Sequence, residues 1–181
     1  MAEAGHFGLL PHFAKEVAYG RKTYNARSET VHELASFRNA WKRGQRCIIP
    51  AEEIYEPCWE TGKAVRWSIH DKDRLPMGIA GIYNTWRDFE GKEHHSFAML
   101  TVSGAGHPIF QRMHRPEDEK RMVLILSPSD FDDWLTCSPE EAPRYFKQWA
   151  GWLEAEPKPL PPRTKRPPEP PSPPAENLGL F

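Results

Sequence analysis

The chain has 181 residues, of which 39% are hydrophobic, 27% charged and 12% aromatic. This length and composition predict one main globular domain with a sizeable core, and they exclude a disordered, collagen-like or fibrous chain. The 24 basic and 25 acidic residues give a formal net charge of -1, so any nucleic-acid binding needs a local basic surface.

The apolar runs and the cysteines set the expected location and exclude several kinds of site. No apolar run approaches the roughly 18 to 20 residues that span a bilayer, and the first residues lack the pattern of a secretory signal. We therefore expect a cytoplasmic protein with no membrane partner. The three cysteines, Cys47, Cys58 and Cys137, show no Cys-x-x-Cys spacing. Neither a disulfide framework nor a zinc site is predicted, and we expect no metal and no cofactor.

The first predicted element is an amphipathic helix or helix pair over residues 28–43. Aliphatic and aromatic enrichment then predicts six strands, at 46–49, 54–58, 65–70, 78–86, 96–102 and 122–126. A helix beginning at Ser127-Pro128 and a short helix over 140–149 follow. Polar loops between the third, fourth and fifth strands favour antiparallel pairing. The predicted fold class is α+β, with a curved, barrel-like, mainly antiparallel sheet and flanking helices.

The composition changes sharply near residue 152. Ten of the 19 prolines lie between Pro157 and Pro174. Because proline lacks a backbone N–H, this stretch is predicted to be extended or disordered. We therefore predict a domain at 1–152 and a proline-rich tail at 153–181, which is either a solvated tail or a weak ligand for an SH3-like partner.

Two stretches place polar side chains where a substrate could meet them. Asn25 and Arg27 are two positions apart just before the predicted helix, so on an extended backbone both side chains point the same way. In the alternative, Asn25 is a turn residue and Arg27 pairs with Glu29. Glu56 lies inside an apolar strand, where a carboxylate is usually paired or catalytic.

Two further stretches carry hydroxyl groups and a histidine. Thr101 and Ser103 lie on a predicted strand, where their hydroxyls can serve a ligand or simply bond the neighbouring backbone. His114 lies beside Arg112 and Arg115. An imidazole there can act as an acid or a base, and the alternative is that His114 is an ordinary surface residue.

Six motifs, in order along residues 7–135, together resemble the SRAP family (SOS response-associated peptidase). They are FGLLPHFAK, YNARSET, SFRNAWKRGQRCIIPAEEIYE, AGIYNTW, FAMLTVSGAGHPIFQRMHR and MVLILSPSDFDDWL. Members of this family include the bacterial and animal abasic-site processing proteins that shield damaged single-stranded DNA. The resemblance implies an SRAP-like fold and single-stranded DNA with abasic sites as the partner.

The resemblance also implies a covalent reaction in the SOS response. In the family, an N-terminal cysteine condenses with the ring-opened aldehyde of an abasic site and forms a thiazolidine crosslink. The implied catalytic residues are Asn25, which orients the terminal residue and the sugar, Glu56, which moves protons, and His114, which assists Schiff-base chemistry. The implied DNA-binding residues are Phe13, Arg27, Arg38 and Thr101, of which Phe13 stacks near the lesion and Arg27 holds a phosphate.

The sequence departs from the family pattern at its start and around His114. Residue 2 is Ala2, and 24 residues precede Asn25, fewer than in the family. We expect the nucleophile and the first strands to be missing, whether through truncation, a shortened gene model or divergence. Stable adducts are then not expected unless borohydride traps an imine, and buried Cys47 is not expected to substitute. The loop over 115–120 is also longer than in the family.

Two other functions remain open at this point. One is a peptidase or hydrolase that acts mainly on its own N-terminus, as the family name suggests. The other is a degenerate, non-catalytic binding module whose proline-rich tail is the functional part. Whether the chain is an enzyme in its own right depends on the missing nucleophile.

Overall fold

Two sheets form the framework of the protein, which a computed structural model describes over residues 2–161. The strands are β1 His6–Phe7, β2 Asn25–Arg27, β3 Arg46–Ala51, β4 Ile54–Cys58, β5 Val65–Asp71, β6 Met77–Arg87, β7 Glu93–Ser103, β8 Arg121–Val123, β9 Ile125–Leu126 and β10 Leu153–Pro157. The α-helices are α1 Arg38–Lys42 and α2 Phe131–Thr136. Short 3₁₀ turns occupy Val17–Lys22, Phe110–Arg112, Pro128–Asp130 and Ala142–Tyr145.

The larger sheet is organised around β6 and β7, each of which has 11 residues. These strands pair antiparallel with each other, and β6 also pairs antiparallel with β3 and β9. Along its other edge, β7 pairs in parallel with β1 and β2 and antiparallel with β8. The predicted α+β class with a mainly antiparallel sheet is confirmed, and the described strands leave this sheet open.

The smaller sheet has the strand order β10-β5-β4, with both pairs antiparallel. Its middle strand places Trp67 opposite Glu56 and Ser68 opposite Tyr55. The sheet therefore presents β4, with its carboxylate, at one edge.

One hydrophobic cluster joins both sheets to the helices. Its fully buried members include Ile69 on β5, Leu100 on β7 and Trp134 on α2. Each such side chain contributes about 1.5 to 3 kcal/mol through burial. The Trp134 indole N–H also donates to the Cys47 carbonyl at 3.0 Å, which fixes α2 on β3. Gly78 allows this packing, because a Cβ there would lie 2.4 Å from the Phe131 ring.

All six predicted strands are present, and the last one is divided between β8 and β9. The predicted ends differ from the observed ends by at most three residues at β7 and by two or fewer at the other strands. The helix that begins after Ser127 is also present, as a 3₁₀ turn that continues into α2. The predicted helix over 28–43 is wrong for its first ten residues, which form successive turns before α1. These turns still bury Val31 and Phe37 while leaving Leu34 exposed, so the apolar spacing did identify buried residues.

The predicted helix over 140–149 is reduced to the 3₁₀ turn Ala142–Tyr145. Just ahead of this turn, the Glu141 carboxylate accepts from the Ser138 backbone N–H at 2.9 Å. Pro143 lacks an N–H and Phe146 leaves the helical region with ψ 67, so the turn does not propagate.

The segment after residue 152 begins as a sheet strand. β10 pairs with β5 over its five residues, and the Lys158 ammonium then contacts the Glu53 carboxylate at 2.6 Å. The predicted boundary after residue 152 therefore leaves one strand on the tail side, and most of the predicted tail lies outside the described residues. Within residues 2–161, no helix has both the length and the apolar character needed to cross a membrane.

Candidate functional site

Glu56 and His114, two of the predicted catalytic residues, lie together although they are far apart in sequence. The backbone N–H of His114 donates to the Pro57 carbonyl at 2.7 Å, and His114 forms a parallel bridge with Cys58. This pairing places Nε2 of His114 3.3 Å from Oε2 of Glu56. The contact lacks hydrogen-bond geometry, and Nε2 has no hydrogen-bond partner among the described residues. The atom is buried, so in this structure it faces the Glu56 carboxyl group and not the solvent.

Burial favours the uncharged form of both side chains. It raises the pKa of Glu56 from its usual 4.5 to about 7. Burial also lowers the pKa of His114, the Lys120 ammonium lowers it further, and the Asp118 carboxylate opposes both. The short distance therefore joins a carboxyl group close to half protonated at pH 7 to a neutral imidazole, rather than two opposite charges. Such a pair can both donate and accept protons near neutral pH.

A bidentate ion pair fixes the turn that lies just before His114. Nε and Nη2 of Arg112 donate to the two carboxylate oxygens of Glu60 at 2.7 and 2.9 Å. The Arg112 guanidinium also lies over the Trp67 ring, 4.9 Å from its centroid. The fork geometry and the stacking orient the turn Phe110–Arg112 against the smaller sheet.

Asn25 and Arg27 project to the same side of β2. The strand runs parallel to β7 beside Met99 and Thr101, and its burial pattern is exposed, buried, exposed. Nη1 of Arg27 donates to Oε2 of Glu119 at 2.6 Å. The alternative pairing of Arg27 with Glu29 is therefore wrong, because a more distant acid holds this guanidinium.

The Arg121 guanidinium binds Thr101 and two acids, Glu29 and Glu119, and Glu119 also binds Arg27 of β2. The Arg121 guanidinium donates to both carboxylate oxygens of Glu29 at 2.8 and 2.9 Å, and to Glu119 at 2.9 Å. It also donates to the carbonyl and hydroxyl oxygens of Thr101 at 2.7 and 3.1 Å. Thr101 itself is buried. Sequence reasoning missed Arg121 and Glu119, and the only signal for them was the dense charge of residues 115–121.

Phe13 and Arg38 lie in a second neighbourhood. The Phe13 ring is 42% exposed and packs edge-to-face on His12 and Tyr19. The Tyr19 hydroxyl and a ring nitrogen of His12 reach Ser36 and Asn39, on either side of Arg38, at 3.0 and 3.2 Å. Arg38 is exposed at the start of α1. No hydrogen bond or ion pair within residues 2–161 links this group to Arg27, so a shared groove remains a prediction.

The three cysteines are poorly placed for nucleophilic chemistry. Burial raises the pKa of Cys47 to about 12, so its thiol stays protonated at neutral pH. Cys58 and Cys137 are buried. Because the thiolate is the reactive form, Cys47 does not supply an attacking sulfur.

Several known proteins are similar to this chain in sequence and in fold. The model of the family described as SOS response associated peptidase (SRAP) matches residues 1–158. The abasic site processing protein YobE of Bacillus subtilis is 31% identical over 139 residues, which cover 71% of this chain and 56% of that protein. YoqW of Bacillus phage SPbeta is also 31% identical, over 71% of this chain and 54% of its own. The chain thus spans about half the length of these curated relatives.

A more distant relative and two crystal structures also resemble the chain. The abasic site processing protein HMCES of Rattus norvegicus is 26% identical over 53% of this chain and 35% of its own. A protein of Bordetella bronchiseptica has a TM-score of 0.81 and 40% identity over 86% of this chain and 76% of its own. A protein of Bacteroides thetaiotaomicron has a TM-score of 0.71 and 28% identity over 82% of this chain and 66% of its own.

Proposed function

This chain belongs to the SRAP family, and from that premise we propose that it binds single-stranded DNA at abasic sites and promotes imine formation there. One observation carries the proposal, namely the contact between Glu56 and His114 in protonation states suited to acid–base chemistry. Several relatives are named abasic site processing proteins, which supports the choice of lesion.

The proposed reaction needs a proton donor and a proton acceptor at one place. An uncharged amine of the protein forms a bond from its nitrogen to the aldehyde carbon of the opened sugar, and one proton moves from nitrogen to oxygen. The C–O bond of this carbinolamine then breaks, and the hydroxyl leaves as water with a proton taken from the Glu56 carboxyl. The iminium returns a proton to the Glu56 carboxylate, so the net products are an imine and one water molecule.

Glu56 and His114 each suit one part of this series of reaction steps. With a pKa of about 7, Glu56 is present in both the acid and the carboxylate forms at neutral pH. A neutral His114 can accept a proton from the attacking amine or bond the sugar oxygen as the ring opens. Asn25 offers an amide with both donor and acceptor atoms, and we assign it the orientation of the sugar.

The DNA surface in this proposal combines two neighbourhoods. Arg27 and Arg38 supply positive charge for phosphates, and Thr101 holds the Arg121 guanidinium beside Arg27. Phe13 presents an exposed ring on which an unpaired base can stack. Since stacking on a side chain requires an unpaired base, the surface should prefer single strands to duplexes.

Binding to labelled oligonucleotides tests this proposal. We expect fluorescence anisotropy to show a higher affinity for a single strand with one abasic site than for its duplex, with affinity falling as salt rises. Equal affinity for single strand and duplex would contradict the assigned surface.

Arg27→Ala is expected to weaken binding to the single strand about threefold to tenfold and to reduce the salt slope by about 0.7, because one phosphate contact is lost. Arg87→Ala is the matched control, since Arg87 is also exposed and paired with a glutamate. It ends β6 opposite Glu93, at the far end of β7 from Thr101, which pairs with Arg27. If both variants bind alike, Arg27 does not contact the DNA.

Glu119→Gln is expected to have the opposite effect. Its carboxylate bridges Arg27 and Arg121 at 2.6 and 2.9 Å, so it competes with a phosphate for both cations. Removing that charge should tighten binding to the single strand about threefold and increase the salt slope. Titration at several salt concentrations measures both, and weaker binding by this variant would show that the phosphate lies elsewhere.

A further inference from the structure

The backbone at His114 adopts a conformation that side chains rarely take. Its φ is +62°, in the left-handed region, and among residues 2–161 only Arg74 is another non-glycine residue with positive φ. A β-carbon makes this region unfavourable, so the surrounding structure must hold it. The conformation matters because it accompanies the contact of the imidazole with Glu56.

Lys120 supplies interactions that hold this turn. Its ammonium donates to the carbonyl oxygens of Met113 at 3.0 Å and His114 at 3.5 Å, and also to that of Arg115. Three consecutive carbonyls therefore converge on one cation. The carbonyl of Lys120 in turn accepts from the Gly104 N–H at 2.7 Å, which connects the turn to the residue after β7.

We propose that Lys120 is a positioning residue for His114, holding the left-handed turn so that the imidazole faces Glu56. The expected effect of Lys120 on imine formation rests on the proposed function. Its effect on the position and the pKa of the His114 ring does not. An ammonium suits the task because it is compact and has three donors, one for each carbonyl.

Lys120 also acts on His114 through its charge. The charged and titratable groups that face the imidazole are Glu56 from β4 and Lys120 and Asp118 from the loop. After burial, the Lys120 ammonium is the next largest influence that lowers the pKa of His114. Its removal should raise that pKa and also release the turn, whereas a purely structural contact would affect only the turn.

Lys120→Met tests the proposal because methionine keeps a long side chain but has neither donors nor charge. We expect NMR titration to show a higher pKa for the His114 ring, and the rate of borohydride-trapped imine formation to fall about 10- to 100-fold. Lys72→Met is the matched control, since Lys72 is an exposed lysine paired with Asp73. It should change neither value.

Lys120→Gln keeps the test decisive if the methionine variant does not fold. Glutamine retains two N–H donors without charge, so the pKa of His114 should rise while the rate falls less than in Lys120→Met. A folded variant with an unchanged His114 titration and an unchanged trapping rate would overturn the proposal. If the wild-type protein traps no imine, the proposed function fails, and the NMR titration alone still supports or overturns the role of Lys120.

Discussion

Glu56→Gln is expected to slow the formation of the borohydride-trapped imine about 10²- to 10⁴-fold, the usual contribution of a positioned general acid or base. Glutamine has nearly the same shape as the protonated carboxyl group but cannot release a proton to the leaving hydroxyl. Binding of the abasic strand should stay within about twofold, because Glu56 is not among the residues assigned to phosphates or bases. The measurement is the single-turnover trapping rate at saturating protein.

Glu52→Gln provides the control for this experiment. Glu52 is an exposed carboxylate four positions before Glu56, just ahead of β4. Its substitution removes the same charge from the same region and should leave the trapping rate unchanged. Equal rates for the wild type and Glu56→Gln would remove Glu56 from the reaction, and equal losses in both variants would indicate a general effect of charge.

The same Glu56→Gln variant is expected to be more resistant to unfolding at high pH. The pKa of Glu56 is about 7 in the folded protein and 4.5 without burial, so the folded state binds the proton more tightly. Stability from this group is complete below pH 4.5 and is lost as the pH rises towards 7 and above. The loss reaches at most about 3 to 4 kcal/mol, since the pKa differs by about 2.5 units and one unit corresponds to about 1.4 kcal/mol. Because glutamine does not ionise, the variant does not lose this stability at high pH.

Urea unfolding of both proteins at pH 4.5 and pH 8 measures this effect. At each pH, the free energy of unfolding of the variant is compared with that of the wild type. Any cost of placing an amide at this position is the same at both pH values. A change of this difference between pH 4.5 and pH 8 therefore reports the ionisation of Glu56. We expect the variant to gain stability relative to wild type between the two pH values. A difference that does not change with pH would show that the carboxyl titrates normally.

Together these two results would distinguish a functional carboxyl group from a structural one. A structural carboxylate stabilises the protein in its charged form, and its removal lowers stability at neutral pH. Glu56 is instead expected to cost stability when charged and to support the reaction through its raised pKa. Such an opposition between stability and activity is common at active sites.

The strands that could be predicted from sequence are those whose own residues determine them. β4 to β7 have five to eleven residues with apolar or aromatic patterns that do not depend on distant contacts. β1 and β2 have two and three residues and exist only because they pair in parallel with β7. β10 ends at Pro157, and its sequence Leu-Glu-Ala-Glu alternates apolar and polar residues but has none of the β-branched or aromatic residues that favour strands.

The candidate site shows the same division. The common orientation of Asn25 and Arg27 follows from the two-residue period of an extended chain. The raised pKa of Glu56 follows from a carboxylate placed in an apolar strand. The contacts of Glu119 and Lys120 depend on a loop that turns through a left-handed His114, and neither residue spacing nor hydrophobic pattern encodes that path.

Intact-mass spectrometry after incubation with a single strand that carries one abasic site, with borohydride present, tests the proposed function most directly. We expect one adduct per strand with the abasic oligonucleotide and none with the intact one. The adduct should form far more slowly with Glu56→Gln and at the wild-type rate with Cys47→Ala, because the Cys47 thiol remains protonated. A wild-type protein that forms no adduct, or an adduct that Cys47→Ala abolishes, would contradict the proposed reaction.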